Sequence, residues 1–437
     1  MYAFEKELTK KISQKKAVVG IVGLGYVGLP LAVTVAIKKF KTIGFDIQKK
    51  RTDMVNQGIS YIGDVDEKEL KEAVRTHYLE AGTDFSRIRE CDIVCIAVPT
   101  PLDKYHQPNV RYVLRSTKEI AKAVKKGTLI ILESTTYPGT TEEVVAPIFE
   151  KKGLAPGKDY FLSFSPERVD PGNDIYKTKN TPKVVGGMTR SCNRVTEAFY
   201  SAILDAPVTA VSSPKTAEME KILENTFRNI NIGLINEMAI LCYKMGIDIW
   251  EVIEAASTKP YGFMPFYPGP GIGGHCIPID PFYLTWKARE FDYHTRLIET
   301  SSEINNYMPE FVVERIFSLL NRNNKTLQGA VILFLGVAYK KNISDMRESP
   351  ALKILDLLNM HGADVRYNDP FVPSFIHRKK TYVSVPLKKE VLDSADLILM
   401  ITDHSVYDPA DIIRKGRLIF DTRNMTKGYR GEGVERL

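Results

Sequence analysis

Short apolar runs alternate with longer amphipathic segments along the N-terminal half of the chain. The apolar runs predict β-strands within 17–23, 41–47, 91–99, 128–135, 160–166 and 182–187. Between them, segments such as VRYVLRSTKEIAKAVKKG place apolar residues at the period of a helix. Strands that alternate with helices in this way predict a parallel sheet with helices on both faces.

The pattern changes after SSPKT, at 212–216. From Thr216 to about Ser257 the chain has no proline and keeps a helical period, which predicts one long helix followed by a shorter one. Segments that begin with a strand return at GAVILFLGVAYKKN, 329–342, and continue through ADLILMITDH and RLIFDTRN. A second α/β region therefore follows the helical middle.

The chain of 437 residues is long enough for two or three domains. We predict the α/β class, with two Rossmann-like, doubly wound parallel-sheet domains joined by a helical central domain that contains one long helix. The predicted domain boundaries are 1–212, 213–325 and 326–437.

The formal net charge is +7, from 60 Lys and Arg residues against 53 Asp and Glu residues. This mild, dispersed excess suits an anionic small ligand and excludes a nucleic-acid-binding protein. The N-terminal MYAFEKELTKKISQKK lacks the apolar core of a signal peptide, and no apolar run approaches the roughly 20 residues of a membrane span. We expect a cytoplasmic protein without a membrane partner.

The five cysteines show no CxxC spacing, so neither a disulfide framework nor a metal site is predicted. Cys91 and Cys95 lie in an apolar run and are expected in the core, and Cys192 and Cys242 are interpreted as packing residues. Cys276 differs, because it follows the glycine- and proline-rich segment PGPGIGGHCIPIDP. A thiol presented on such a loop suggests chemistry.

The sequence GLGYVG places Gly23, Gly25 and Gly28 in G-x-G-x-x-G spacing between a predicted strand and a predicted helix. The three glycines permit the tight turn, the approach of a pyrophosphate, and close helix packing. The second strand ends at Asp46, whose carboxylate can accept a hydrogen bond from a ribose hydroxyl. Asp46 favours NAD, while Arg51 nearby leaves NADP open.

Seven segments together carry a family resemblance that runs from Ala17 to about Asn424. They are GIVGLGYVGLP, AVPTPLD, ESTTYPGTT, SPERVDPGN, AEMEKILENTFRNINIGLINE, GPGIGGHCIPIDPFYL and LGVAYKKNISDMRESPAL. On these segments the chain resembles the UDP-glucose/GDP-mannose dehydrogenase family, and within it the UDP-N-acetylglucosamine 6-dehydrogenases.

The resemblance implies oxidation of the C6 hydroxyl of a UDP-sugar to a carboxylate, with two NAD per turnover and no metal. It implies Cys276 as the nucleophile, which forms a thiohemiacetal and then a thioester that water hydrolyses. It also implies that the N-terminal domain binds NAD, the central domain serves catalysis and dimerisation, and the C-terminal domain binds the UDP-sugar.

The resemblance assigns catalytic roles to Asp280, Lys221, Asn225, Glu167 and Thr135. Asp280 would orient or activate water, although an Asp-Pro pair also caps turns. Lys221 and Asn225 stand one helical turn apart and would act at the reacting carbon, although most such pairs are solvated. Glu167 would act as a base or orient water, and Thr135 would hold water or substrate.

Further contacts are also assigned by the resemblance. The NAD contacts are Gly23, Gly25, Tyr26, Val27, Gly28, Asp46, Arg51, Thr100, Thr135 and Arg347. The contacts with the UDP-sugar are Glu167, Arg168, Val169, Lys221, Asn225, Arg228, Tyr267, Gly273, Tyr339, Lys340 and Arg423. Tyr339 would stack on the base, and Lys340 would contact the diphosphate.

The sequence differs from the UDP-glucose enzymes of the family at two places that bear on the substrate. The second glutamate of UDP-glucose enzymes is replaced by Pro171, after Asp170, and no arginine lies between Lys259 and Cys276. The missing arginine favours an N-acetylated hexose, with UDP-N-acetylmannosamine, UDP-N-acetylgalactosamine, UDP-glucose and GDP-mannose left open. A two-electron hydroxyacid dehydrogenase and a nucleotide-sugar sensor are the other classes considered. The resemblance implies a homodimer or a higher homo-oligomer.

Overall fold

A computed structural model describes residues 3–63, 65–103, 105, 107–170, 172–173, 175–429 and 431–437. Pro171, at the position of the absent second glutamate, lies outside these residues. The chain divides into two compact units. The first comprises Met1–Glu224 and Phe282–Tyr293, and the second comprises Asn225–Pro281 and His294–Leu437. The three predicted domain boundaries stay a prediction.

The first unit is built on an eight-stranded sheet in the order β3-β2-β1-β4-β5-β6-β7-β8. Its strands are β1 Val19–Val22, β2 Thr42–Phe45, β3 Leu79–Gly82, β4 Ile93–Ile96, β5 Leu129–Leu132, β6 Phe161–Phe164, β7 Lys183–Gly187 and β8 Val208–Val211. The central strands VGIV, IVCI and LIIL are buried at every position, because helices cover both faces of a doubly wound sheet. The pairing is parallel except between β6 and β7.

Helices connect and flank these strands in the first unit. They are α1 Ala3–Ser13, α2 Gly28–Ile37, α3 Lys49–Asn56, α4 Glu67–Arg75, α5 Arg111–Ala123, α6 Ala146–Glu150 and α7 Arg190–Ile203. Three short turns of other helix types lie at Phe85–Glu90, Thr141–Val145 and Arg289–Phe291. The helix α2 follows β1 after the glycine turn. It is almost wholly apolar, so it packs against the sheet.

The predicted long helix is confirmed as α8, Pro214–Met245, and the shorter one as α9, Ile249–Ser257. Asp248 begins α9 by accepting a hydrogen bond from the Trp250 amide, as expected of an N-cap aspartate. Two more helices follow, α10 at Asp280–Ala288 and α11 at Arg296–Arg322. The loop that carries Cys276 therefore lies between α9 and α10.

The second unit contains a five-stranded parallel sheet in the order β10-β9-β13-β14-β15. Its strands are β9 Val331–Leu335, β10 Asp364–Asn368, β13 Leu397–Met400, β14 Ile419–Asp421 and β15 Val434–Arg436. A separate antiparallel hairpin is formed by β11 Ser374–His377 and β12 Lys380–Val383. The helices of this sheet region are α12 Pro350–Met360, α13 Lys389–Ser394 and α14 Pro409–Lys415. The strand order reverses between β9 and β13, which is where such sheets bind ligands.

The predicted fold class is confirmed, since Rossmann-like sheets and a long helix are all present. Cys91, Cys95 and Cys192 are buried as expected, whereas Cys242 is only partly buried and Cys276 is exposed. Among the described helices, none combines the length and apolar character needed to cross a bilayer.

Candidate active site

The glycine turn after β1 has the geometry of a dinucleotide cradle. Gly23 has a φ of 93°, and a Cβ there would lie 2.5 Å from the Ala97 carbonyl oxygen. A Cβ on Gly28 would lie 1.8 Å from the Gly23 carbonyl oxygen, whereas one on Gly25 would meet no atom within 4 Å. Packing thus requires the outer two glycines, and the middle one faces open space where a pyrophosphate can approach the backbone.

Tyr26 and Val27 complete the turn. Tyr26 is exposed, and Val27 precedes the first residue of α2 without a side-chain cap. The positive end of the α2 dipole is therefore directed at the turn, as a diphosphate site requires. Together with the space at Gly25, this arrangement fits NAD.

Asp46 lies directly after β2 and supports the same turn. Its carboxylate accepts hydrogen bonds from the amides of Leu24 and Gln48, at 3.0 Å and 2.8 Å. The Arg51 guanidinium lies 3.4 Å from the same carboxylate and 5.7 Å from the centre of the Tyr61 ring. Burial, with the nearby Asp46 charge, raises the pKa of Tyr61 to about 12, so this phenol stays neutral. Asp46 and Arg51 are therefore brought together at the turn.

Thr100 and Thr135 meet beyond the ends of β4 and β5. The Thr100 hydroxyl donates to the Thr135 carbonyl oxygen at 2.7 Å. The Tyr283 hydroxyl, from α10, donates to the Thr100 carbonyl oxygen. Both threonines therefore lie at the carboxyl edge of the first sheet, where α/β proteins bind their cofactors.

Glu167 belongs to a cluster of charged side chains beyond β6. One carboxylate oxygen accepts from the amides of Arg168 and Val169, at 3.0 Å and 2.9 Å. The other lies 3.3 Å from the Lys183 ammonium, which also lies 2.9 Å from a Glu133 oxygen. The structure thus places two residues that were not predicted, Glu133 and Lys183, beside the predicted Glu167. A lysine at the start of the apolar run KVVGG was the available sequence signal.

Lys221 is a buried lysine on α8, in the same unit as Glu167. The Arg168 guanidinium binds Glu224 and lies 3.5 Å from Glu220. Burial, with the neighbouring Glu224 charge, raises the pKa of Glu220 to about 7. Arg168 is therefore held by carboxylates of the long helix.

Helix α8 also holds the loop that carries Cys276. Asn225 donates from its side chain to Asp280, and Asn229 donates to the Ile277 carbonyl oxygen at 3.2 Å. The Asp280 amide donates to the Cys276 carbonyl oxygen at 2.8 Å, which closes a turn around the cysteine. Three predicted residues, Asn225, Cys276 and Asp280, are thus brought together while the thiol residue stays exposed.

The glycines before Cys276 pack against Tyr339. A Cβ on Gly273 would lie 2.5 Å from the Tyr339 Cβ, and one on Gly274 would lie 2.9 Å from the Tyr339 ring. The Gly274 amide donates to the Arg347 carbonyl oxygen at 3.0 Å, and the Arg347 guanidinium binds Asp345 at 2.6 Å. Burial, with the Arg347 charge, lowers the pKa of His275, so the imidazole beside Cys276 is neutral at pH 7.

Arg423, after β14, packs under the same loop. A Cβ on Gly269 would lie 2.6 Å from an Arg423 guanidinium nitrogen, and Arg423 donates to the Ile401 carbonyl oxygen at 2.9 Å. Lys340 is half-buried in the segment after β9. Tyr267 and Arg228 are exposed, and the Tyr267 ring stacks on Trp250 with 6.2 Å between centroids.

The predicted residues are divided between the two units. The first unit holds Gly23, Gly25, Tyr26, Val27, Gly28, Asp46, Arg51, Thr100, Thr135, Glu167, Arg168, Val169 and Lys221. The second holds Asn225, Arg228, Tyr267, Gly273, Cys276, Asp280, Tyr339, Lys340, Arg347 and Arg423. Their assigned roles stay predictions.

Two buried residues of the second unit were not identified from the sequence. His404 donates from Nε2 to Asp369 at 3.1 Å and accepts from the Asn342 amide at 2.9 Å through Nδ1. His404 thereby supports the segment that contains Tyr339 and Lys340. In the part of the chain that the structure describes, no group of three His, Cys, Asp or Glu residues could hold a metal ion.

Comparison with known proteins covers most of the sequence. The NAD binding domain of the UDP-glucose/GDP-mannose dehydrogenase family matches residues 17–204. The central domain of the family matches 215–307, and its UDP binding domain matches 333–428.

Individual relatives extend this match. A UDP-N-acetyl-D-glucosamine 6-dehydrogenase from Pseudomonas aeruginosa is 38% identical over 400 residues, covering 91% of this chain and 93% of that protein. A UDP-N-acetyl-D-mannosamine dehydrogenase from Escherichia coli (strain K12) is 33% identical, covering 90% and 94%. The structure of a UDP-D-ManNAc dehydrogenase from Pyrococcus horikoshii superposes with a TM-score of 0.87 at 30% identity, over 96% and 98% of the two chains. With agreement over nearly its whole length, the chain belongs to the UDP-glucose/GDP-mannose dehydrogenase family and is an NAD-dependent nucleotide-sugar dehydrogenase.

Proposed function

We propose that this enzyme oxidises the C6 hydroxyl of UDP-N-acetylglucosamine to a carboxylate through a covalent adduct on Cys276. The product would be UDP-N-acetylglucosaminuronate, a precursor for surface polysaccharide synthesis. The observation that carries the proposal is the exposed Cys276, held on a glycine loop by the Asn225–Asp280 pair of the same unit. A cysteine with a purely structural role would be buried among apolar side chains.

The reaction needs a hydride acceptor for each of two oxidations, and NAD bound at the Gly23–Gly28 turn supplies that chemistry. The Cys276 thiolate adds to the C6 aldehyde that the first oxidation leaves, and holds it as a thiohemiacetal. The second oxidation converts this adduct to a thioester. Water then attacks the thioester carbon, which releases the carboxylate and restores the thiol. One alcohol, two NAD⁺ and one water give one carboxylate, two NADH and three protons.

The other proposed catalytic residues move protons or stabilise charge. Asp280, fixed by Asn225, is proposed to orient the hydrolytic water. Lys221 and Asn225 are each proposed to stabilise the developing alkoxide at C6. Glu167 is proposed as a base or water-orienting residue, and Thr135 as a contact for water or substrate.

The UDP part of the nucleotide sugar is proposed to bind in the second unit. Tyr339 and Lys340 follow β9 beside the reversal in strand order, and Arg423 follows β14. These positions suit base stacking and contacts with the diphosphate. Arg168, Val169, Arg228, Tyr267 and Gly273 are the remaining proposed substrate contacts, and Arg347 is proposed to reach the cofactor.

The choice of UDP-N-acetylglucosamine is supported by the Pseudomonas aeruginosa relative that carries this activity in its name. UDP-N-acetylmannosamine is the second candidate, because the Pyrococcus horikoshii structure with a TM-score of 0.87 is described as a dehydrogenase of that sugar. UDP-N-acetylgalactosamine is the third, from a relative in Ralstonia solanacearum named for the galactosaminuronic acid, at 32% identity.

A homodimer is also proposed, with α8 in its interface. Five of the exposed apolar residues of α8 recur at intervals of four or seven, so they share one face of the helix. They are Leu223, Phe227, Leu234, Leu241 and Met245. An exposed apolar stripe of this length is typical of a protein interface. We propose a cytoplasmic setting, which suits cysteines that show neither CxxC spacing nor a disulfide framework.

The first experiment measures NADH released per sugar consumed, in parallel with UDP-N-acetylglucosamine, UDP-N-acetylmannosamine, UDP-N-acetylgalactosamine and UDP-glucose. About two NADH per sugar, with kcat/KM highest for UDP-N-acetylglucosamine, is expected. About one NADH per sugar would contradict the thioester. A higher kcat/KM for UDP-N-acetylmannosamine would replace the substrate and keep the mechanism. Binding without turnover of any sugar would indicate a sensor.

The Cys276→Ala variant should lose the second oxidation, because no thiohemiacetal can form. We expect at most one NADH per sugar and a fall in kcat of about a hundredfold or more, with NAD affinity unchanged. Cys242→Ala is the matched control, since Cys242 is a partly buried thiol of the same unit. Two NADH per sugar from Cys276→Ala would exclude the proposed nucleophile.

A further inference from the structure

The Glu133–Lys183–Glu167 cluster of the first unit contains more charge than a buried site usually holds. The side chains of Glu133 and Lys183 are 0% and 6% exposed, and that of Glu167 is 15% exposed. Two carboxylates share one ammonium here, and an unpaired charge in such a buried place is strongly unfavourable. The cluster is therefore built around Lys183, and only Glu167 reaches its outer edge.

The hydrogen bonds fix both carboxylates around the lysine. Glu133 accepts from the Tyr200 hydroxyl through one oxygen and from Lys183 through the other. The Lys183 ammonium lies 5.2 Å from the centre of the Tyr200 ring, so this ring also faces the cation. Lys183 comes from the start of β7, Glu133 from the end of β5 and Tyr200 from α7. Three elements of the sheet region thus determine where the ammonium stands against Glu167.

We propose that Lys183 is a positioning residue for the oxidation, which holds Glu167 ionised and in a fixed orientation, while Glu133 and Tyr200 hold Lys183. The inference rests on the proposed role of Glu167 in the reaction. Glu167 has its carboxylate fixed at both oxygens, by backbone amides on one side and Lys183 on the other. A base or water-orienting carboxylate must keep both its charge and its direction, and Lys183 supplies both.

The charged and titratable groups around Glu167 agree with this division of roles. They are Glu133, Lys183, Lys221, and behind Glu133 also Tyr200 and Cys95. Burial raises the pKa of Glu133. Burial would also raise that of Glu167, but the Lys183 charge, the Val169 amide and the Lys221 charge together lower it. Burial raises the pKa of Tyr200 and of Cys95, so both stay neutral. Of the two carboxylates, Glu133 is therefore the first to take up a proton as the pH falls.

The test compares Glu133→Gln with the double variant Glu133→Gln/Lys183→Met. Glutamine mimics the protonated Glu133, and in its background the loss of Lys183 leaves no buried carboxylate at position 133 without a counter-ion. The readout is the pH dependence of kcat at saturating NAD and nucleotide sugar. If activity requires ionised Glu167, the rate falls as the pH falls through the pKa of that group.

The acid limb is the part of the pH–rate profile in which kcat falls as the pH falls. For Glu133→Gln we expect this limb to stay at or below its wild-type pH. For the double variant we expect it to move up by about one to three pH units, the shift that a neighbouring opposite charge causes. Lys183→Arg should leave the acid limb of the pH–rate profile at its wild-type position, because arginine keeps the positive charge. Thermal unfolding and NAD affinity are measured alongside. A folded double variant that is slower at every pH, with an unmoved acid limb, would show a merely structural role and overturn the proposal.

A second readout separates this inference from the proposed function. The Glu167 pKa is measured by the ¹³C carboxyl resonance of labelled glutamate, assigned by its loss in Glu167→Gln. If the wild-type enzyme released NADH from no sugar, the proposed function would fail, yet the resonance would still titrate at higher pH in the double variant. A Glu167 pKa that is the same in the wild-type enzyme and the double variant would overturn the inference even if the enzyme is active. The same measurement tests the inference if the double variant folds but has no turnover.

Discussion

In each of the two units, a glycine turn follows the first strand of the sheet and an aspartate binds the amides of that turn. The role of the aspartate differs between the units. In the first unit, β1 is followed by Gly23, with a φ of 93°, and in the second, β9 is followed by Gly336, with a φ of 82°. In each unit an aspartate after the neighbouring strand accepts hydrogen bonds from the amides just beyond that glycine. Asp46 accepts from Leu24, and Asp369 accepts from Val337 and Ala338.

The two aspartates differ in what else they bind. Asp369 accepts also from the amides of Phe371 and Val372 and from His404 Nε2, which makes five donors with the two amides beyond Gly336. A carboxylate has about four lone-pair positions, so Asp369 is saturated. Asp46 accepts from two amides, with Arg51 at 3.4 Å, and keeps capacity for another donor. The first aspartate can therefore bind a ribose, whereas the second stabilises its own unit.

The difference shows that a strand, a glycine turn and an acid after the next strand do not by themselves define a dinucleotide site. The number of protein donors that the acid already accepts separates a ligand site from a structural one. Gly25 adds a second criterion, because the turn of the first unit leaves open space where a Cβ would point.

The largest expected effect is the loss of Asp369. Asp369→Ala leaves four backbone amides and the buried His404 without their acceptor, so the second unit should lose about 3 kcal/mol of unfolding free energy or more. Trp250 lies in the second unit and Trp286 in the first, so urea unfolding followed by fluorescence in a Trp286→Phe background reports on the second unit.

Asp356→Ala is the control for Asp369→Ala, because Asp356 also pairs with a histidine, His377 at 2.8 Å, but there both side chains are partly exposed. It should cost less than about 1 kcal/mol. Equal losses in the two variants would show that the saturation of Asp369 has no energetic meaning.

A smaller effect is expected at Asp46, and on binding. Asp46→Asn removes the charge that accepts from a ribose hydroxyl, so the Kd for NAD should rise about tenfold, or about 1.4 kcal/mol. The Kd for NADP should fall or stay unchanged, because the variant no longer repels a 2′-phosphate. Calorimetric titration with both cofactors measures this. Asp53→Asn, which removes a carboxylate bound to Lys49 on exposed α3, should change neither Kd. Equal weakening of both cofactors would contradict the assignment of Asp46 to the ribose.

The smallest effect concerns His404. His404→Ala removes the acceptor for the Asn342 amide and loosens the segment that contains Tyr339 and Lys340. The KM for the nucleotide sugar should rise about fivefold, as expected for the loss of about one net hydrogen bond, with the Kd for NAD unchanged. His377→Ala is the control in the same unit. If His404→Ala raised the Kd for NAD and left the KM for the sugar unchanged, the assignment of this segment to the sugar would be wrong.

The sequence predicted those features that depend on short-range pattern. The apolar runs located six of the eight strands of the first sheet, the absence of proline located α8 and α9, and the glycine spacing located the turn at Gly23–Gly28. The strands β3 and β8 were missed, because most of their residues are partly or fully exposed. The antiparallel pairing of β6 with β7 could not be predicted, because it depends on the route of the chain between two strands that both look buried.

The environment of each side chain was equally beyond the sequence. Asp369 and Asp46 both follow a strand, and only the fold shows that five donors surround one of them. Lys183 and Glu133 are 50 positions apart and meet because β5, β6 and β7 are adjacent in the sheet. Charged residues within apolar runs, such as the lysine in KVVGG, are the signal by which such clusters can be sought.

The close packing of the glycine loop on Tyr339 constrains how this enzyme can change over generations. Gly273 and Gly274 have no room for a side chain because the Tyr339 ring and Cβ fill that space. Gly274 also has a φ of 88°, which side chains rarely adopt, and the clash at Gly273 is with the Tyr339 Cβ, which every residue except glycine has. A smaller side chain at position 339 therefore does not make room for a larger residue in the loop. Both positions should stay glycine among related sequences, whatever residue stands at 339.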